Sequence, residues 1–113
     1  MKTGLPLPED KKLSIIFRVE PGCLGPQGSG YIDQFCDQAQ NEFKSLDSDF
    51  IIWNVVPRSD KSLPEIQFAL AGKRISSLQA EKYLALFGKV LDDAENAFDD
   101  KLESLIVKFL AAV

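Results

Sequence analysis

Four of the seven glycines and two of the six prolines fall in one stretch, Glu20-Pro21-Gly22-Cys23-Leu24-Gly25-Pro26-Gln27-Gly28-Ser29-Gly30. A glycine-rich loop that leaves a strand and opens a helix can aim backbone N–H groups at a phosphate or carboxylate. Gly22, Cys23, Gly25, Gly28, Ser29 and Gly30 are therefore the candidate ligand-binding positions, with Arg58 and Lys61 as basic residues that could join them. The motif is incomplete. A Walker loop needs Gly-Lys-Ser/Thr at the helix start, where this chain has Gly28-Ser29-Gly30-Tyr31, and the dinucleotide fingerprint G-x-G-x-x-G does not occur. Pro21 and Pro26 also remove two donors. A rigid strand-to-helix connector competes with the anion site and explains the same residues.

Cys23 lies in that loop, where a helix N-terminus could lower a thiol pKa, but no Lys or Arg flanks it there. Histidine is absent from the whole chain. That removes the commonest general base, every Ser-His or Cys-His pair and the commonest metal ligand. Two cysteines without histidine do not make a zinc site. The acidic run Asp92, Asp93, Glu95, Asn96, Asp99, Asp100, Glu103 lacks the loop-wrapped ligands of calcium sites and reads as a solvated helix face. No catalytic residue, metal or cofactor is assigned, and the expectation leans towards a protein that is not an enzyme.

The 113 residues suit one domain, with 45% hydrophobic and 27% charged residues. Eight Phe and one Trp supply core without staples. A net charge of −4 argues against a nucleic-acid partner. The absence of a long apolar run argues against a membrane partner. With no signal peptide in the sequence, the expected location is the cytoplasm, with Cys23 and Cys36 reduced.

Residues 1–12, broken by Pro6 and Pro8, read as a flexible leader to a single domain over 13–113. Leu13, Ile15, Phe17 and Val19 alternate with Ser14, Ile16 and Arg18, which predicts a strand with one buried face, ended by Pro21. Ile32, Phe35, Cys36, Ala39, Phe43 and Leu46 hold helical spacing, with Ser29 as a plausible N-cap and Cys36 an inert core thiol. Phe50 to Val56 is apolar on both sides, which predicts a central strand covered on both faces. Ile66, Phe68 and Leu70 mark a third strand, Ala71-Gly72-Lys73-Arg74 a tight turn, and Ile75 a short return strand. Arg58 and Lys61 would then stand at the other end of the sheet from Lys73 and Arg74.

Ser76 and Gln79 have capping-box spacing, so a helix should begin near Ser77. Apolar residues keep helical spacing from there to Val113. A single helix of that length would extend about 55 Å, too long for a small sheet, so either it breaks, with Asp99-Asp100 the expected place because Asp100 and Glu103 repeat the capping spacing, or its far end packs on a second subunit.

The expected fold is α+β, a two-layer β-α-β-β-α(α) domain. Its small sheet of three or four strands is mainly antiparallel and covered by helices, and it ends in a long C-terminal helix or helix pair. The expected function is self-association or protein–protein interaction, as a homodimer whose seam uses Phe98, Leu102, Leu105 and Phe109. Binding of a small anionic ligand at the glycine loop is the alternative.

Overall fold

The computed structural model describes residues 5–113. The first four residues of the expected leader lie outside the described residues. Leu7 is already packed: it is buried and donates its N–H to Asp49 O at 3.0 Å. A short 3-10 turn at Glu9–Lys11 follows. The leader expected over 1–12 is thus tied down from Leu7 onward, because a leucine side chain found cover there.

The alternating segment forms β1 (Leu13–Val19), buried at every odd position. A 3-10 turn at Pro21–Leu24 leads into α1 (Gly28–Phe43), which crosses over to β2 (Ile51–Pro57). β1 and β2 pair in parallel, from Leu13 opposite Ile51 to Val19 opposite Pro57. β3 (Ile66–Leu70) lies antiparallel on the other side of β1, and β4 (Lys73–Ile75) returns beside β3. The sheet order is β2-β1-β3-β4. Two of the three pairings are antiparallel, so the mixed sheet and its helices match the expected α+β class.

The Ala71-Gly72 turn has positive φ at both residues, 53° and 79°, the two-residue geometry that matches strand twist. α2 (Ser77–Ala85) starts where its capping box predicts. Ser76 Oγ accepts from Gln79 N at 3.1 Å, and Gln79 Oε1 accepts from Ser76 N at 2.9 Å.

The helix break is not at Asp99-Asp100. Both residues lie inside α3 (Leu91–Ala112), and the chain instead breaks around Gly88. Gly88 takes φ +74° and donates to Ala85 O at 3.0 Å, while Lys89 N donates to Leu84 O at 3.1 Å. These two bonds form a Schellman terminator, which needs a left-handed residue and finds it in glycine. The exposed acids at 99 and 100 had no comparable reason to stop a helix.

All three helices lie on one face of the sheet. Phe98 of α3 stands at the centre: its ring is 4.2 Å from Phe43, 4.5 Å from Trp53 and 4.8 Å from Phe17, centroid to centroid. One residue thereby joins α3 to α1, β2 and β1. Lys101 adds a polar tie, donating to Glu42 O at 2.6 Å in the last turn of α1, where the helix dipole favours a cation.

The other face carries Ser14, Ile16, Arg18, Ile52, Asn54 and Val56, all half-exposed, and no described helix covers it. β2 is therefore neither central nor covered on both faces. It is an edge strand whose second apolar set is only half-buried.

Candidate functional site

Parallel pairing of β1 with β2 brings the glycine loop and the Arg58–Pro64 loop to the same end of the sheet. Arg58 N donates to Val19 O at 2.9 Å, which fixes that junction. Arg58, Lys61 and the loop at 20–30 do converge. Lys73 and Arg74 lie at the opposite end, beside Leu70 and Ala69, as hairpin geometry requires.

The glycine loop keeps its donors for itself. Cys23 N donates to Glu20 O, Gly25 N to Gly22 O, Gly28 N to Gly25 O and Gly30 N to Gln27 O, all between 3.0 and 3.1 Å. Four of the candidate positions thus have their N–H groups engaged with neighbouring loop carbonyls. The helix begins at Gly28, two residues earlier than a Ser29 cap would allow, and Gln27 stands at the N-cap without a side-chain bond.

Gly28 has a packing reason. A Cβ there would sit 1.8 Å from Pro21 O and 2.8 Å from Pro21 C, so only glycine lets α1 start against the 3-10 turn. Gly22 and Gly30 have open space at the same position.

The basic residues already face a carboxylate. Glu20 Oε1 lies 3.5 Å from Arg58 Nη1, and Glu20 Oε2 lies 4.0 Å from Lys61 Nζ. The Arg58 guanidinium also donates through Nη2 to Leu63 O at 3.2 Å and Lys61 O at 3.5 Å. Its Nε and Glu20 Oε1 are buried without a hydrogen bond. Glu20 therefore stands where an external anion would need to approach Arg58. The same loop is fixed by Asp60, which accepts from Ser62 Oγ at 2.6 Å and Ser62 N at 2.9 Å. The Ser62 hydroxyl, then its N–H, hold the Asp60 carboxyl below its usual range.

Cys23 is exposed and Cys36 buried, both as free thiols. Burial first, then the charges of Asp33 and Asp37, push the Cys36 thiol up to about 12. It is a core residue without nucleophilic character at neutral pH. Among the described residues no three His, Cys, Asp or Glu side chains come together to hold a metal ion, and no helix is long and apolar enough to cross a membrane.

The residues expected at a dimer seam are mostly used by their own chain. Phe98, Leu102 and Phe109 are buried in the core, and Leu105 is half-buried against it. Phe109 packs edge-on to Tyr31 and Phe35 of α1, with centroids at 5.9 and 5.4 Å. A ring buried in the core of its own chain is not free to pack on another, and the exposed apolar side chains of this helix end lie elsewhere around it. From Leu105 to Val113 the sequence has one charged residue, Lys108. Val107 is 63% exposed, Leu110 41% and Val113 55%, with half-buried Ile106 beside them. Ile106, Leu110 and Val113 follow at steps of four and three, so they line one side of α3. The periodic stripe drew attention to the buried side. The missing polar side opposite it was the signal that could have found these residues.

No family model matches this chain, and neither the curated proteins nor the solved structures compared with it give a match.

Proposed function

We propose that this protein is a non-enzymatic association module that pairs with a second copy of itself through the last turns of α3. The supporting observation is the segment Leu105–Val113, apolar on nearly every side yet covered on only one. A helix of that composition calls for cover all round. Charge favours a second copy in a tail-to-tail arrangement. The acids Asp92, Asp93, Glu95, Asp99, Asp100 and Glu103 all precede the apolar segment, so two copies overlapping at their C-terminal turns keep their acidic halves apart. The setting we propose is the cytoplasm, where exposed Cys23 stays a thiol.

The measurement is mass in solution by sedimentation or light scattering at micromolar concentration. The expected mass is twice the 12.6 kDa of one chain, returning to one chain in Leu110→Glu with unchanged circular dichroism. A one-chain mass for the unmodified protein overturns the proposal.

The alternative, a small anion at the glycine loop, has less support because four of its N–H groups and Arg58 are already engaged. Inorganic phosphate is therefore expected to leave the melting temperature unchanged, and a concentration-dependent rise would revive that reading.

A further inference from the structure

Among the described residues β2 ends the sheet on one side, so its outer backbone groups face no further strand. Its sequence makes that hazardous. Ile51-Ile52-Trp53-Asn54-Val55-Val56 is uncharged, β-branched and aromatic, the composition of segments that recruit copies of themselves. The other edge is managed in an ordinary way: β4 has three residues, with Lys73 and Arg74 exposed.

The β2 edge is managed by one side chain. Gln40 projects from α1, donates through Nε2 to Trp53 O at 2.8 Å and accepts at Oε1 from Val55 N at 2.8 Å. In a parallel ladder, one residue of the neighbouring strand gives its N–H and its C=O to the groups on either side of the residue it faces. The Gln40 carboxamide does the same on either side of Asn54. Further along the edge, Ile51 N donates to Asp47 O at 2.9 Å, and Pro57 has no N–H to offer.

We infer that Gln40 is a built-in stand-in for a fifth strand, and that it keeps β2 from pairing with β2 of a second copy. The excluded partner is this chain itself, because two identical uncharged edges are self-complementary across a two-fold axis. The inference is independent of pairing through α3, which uses a helix far from this edge in sequence.

The test is Gln40→Ala made in the Leu110→Glu background, where association through α3 is absent. Alanine is the best helix former, so α1 is expected to keep its helix. Hydrogen exchange at the Val55 amide should accelerate about tenfold, the equivalent of one lost hydrogen bond. The variant should also form concentration-dependent oligomers that bind thioflavin T. Gln40→Glu retains the acceptor for Val55 but cannot donate to Trp53 O, so its Val55 exchange should stay near the parent rate while association rises less than in Gln40→Ala. Faster exchange without new association overturns the inference, as does unchanged exchange. If Gln40→Ala loses its fold by circular dichroism, the comparison of Gln40→Glu with the parent decides: unchanged association then overturns it.

Discussion

In the loop at 20–30 polar groups are plentiful, and the N–H groups of Cys23, Gly25, Gly28 and Gly30 have partners inside the chain. In the last turns of α3 charge is almost absent, and Val107, Leu110 and Val113 lack cover. The loop carries residue types associated with ligand chemistry and uses them to build a junction. The helix end carries none and leaves its apolar surface in water. Residue type alone therefore does not say which groups of this molecule are free to meet a partner; the state of satisfaction of each group is the better guide.

The contrast is sharpest between the two sides of α3, and Phe98→Ala tests the covered side. Phe98 stacks on Phe43 and Trp53, so truncation should cost about 3–5 kcal/mol, read from chemical denaturation. A loss below about 1 kcal/mol would mean that α3 does not hold the core together. Next comes the loop. Gly28→Ala drives a Cβ into the Pro21 carbonyl and should cost about 1–3 kcal/mol. Gly30→Ala meets open space within a helix and should instead stabilise by about 0.5–1 kcal/mol. Equal effects at the two glycines would break the account of the loop as a packed junction. Leu110→Glu should change the stability of the isolated chain by less than about 0.5 kcal/mol while abolishing association, since the side chain it replaces is 41% exposed and outside the core.

The two cysteines repeat the comparison in a pH experiment. Iodoacetamide should modify Cys23 in the folded protein and Cys36 only after unfolding. The raised Cys36 pKa means that the folded state holds its thiol proton more tightly than the unfolded state. Its contribution to stability is full below the ordinary value of 9.0 and should be lost as pH rises from there towards about 12. Cys36→Ala should flatten that decline.

Much of the fold was legible because local signals agreed with tertiary needs. The alternation in β1, the capping box at Ser76 and the hairpin at Ala71-Gly72 each had a single physical reading, and each holds. Failures came where two local signals competed. Capping spacing at Asp100 and Glu103 pointed to a break there, but the chain turns at Gly88, because a positive-φ terminator depends on neighbours that spacing does not reveal. Apolar residues on both faces of β2 suggested a central strand, and no pattern within β2 indicates how many strands flank it. Glu20 falls within a loop that reads as one unit, yet its pairing with Arg58 requires the parallel register of β1 and β2. Gln40 carried no sequence signal at all, since one glutamine on a helix face resembles any other.

The register also sets the order in which the chain can assemble. β3 and β4 are joined by two residues and can zip together on the microsecond scale of an isolated hairpin. β1, the earliest strand in the chain, must wait for both its neighbours, and its parallel partner arrives only after all of α1 has been placed. Each pairing of β1 closes a longer loop than the hairpin does, which raises its entropic cost. During translation β1 therefore emerges before either of its neighbours, and its apolar face stays unpaired until they arrive.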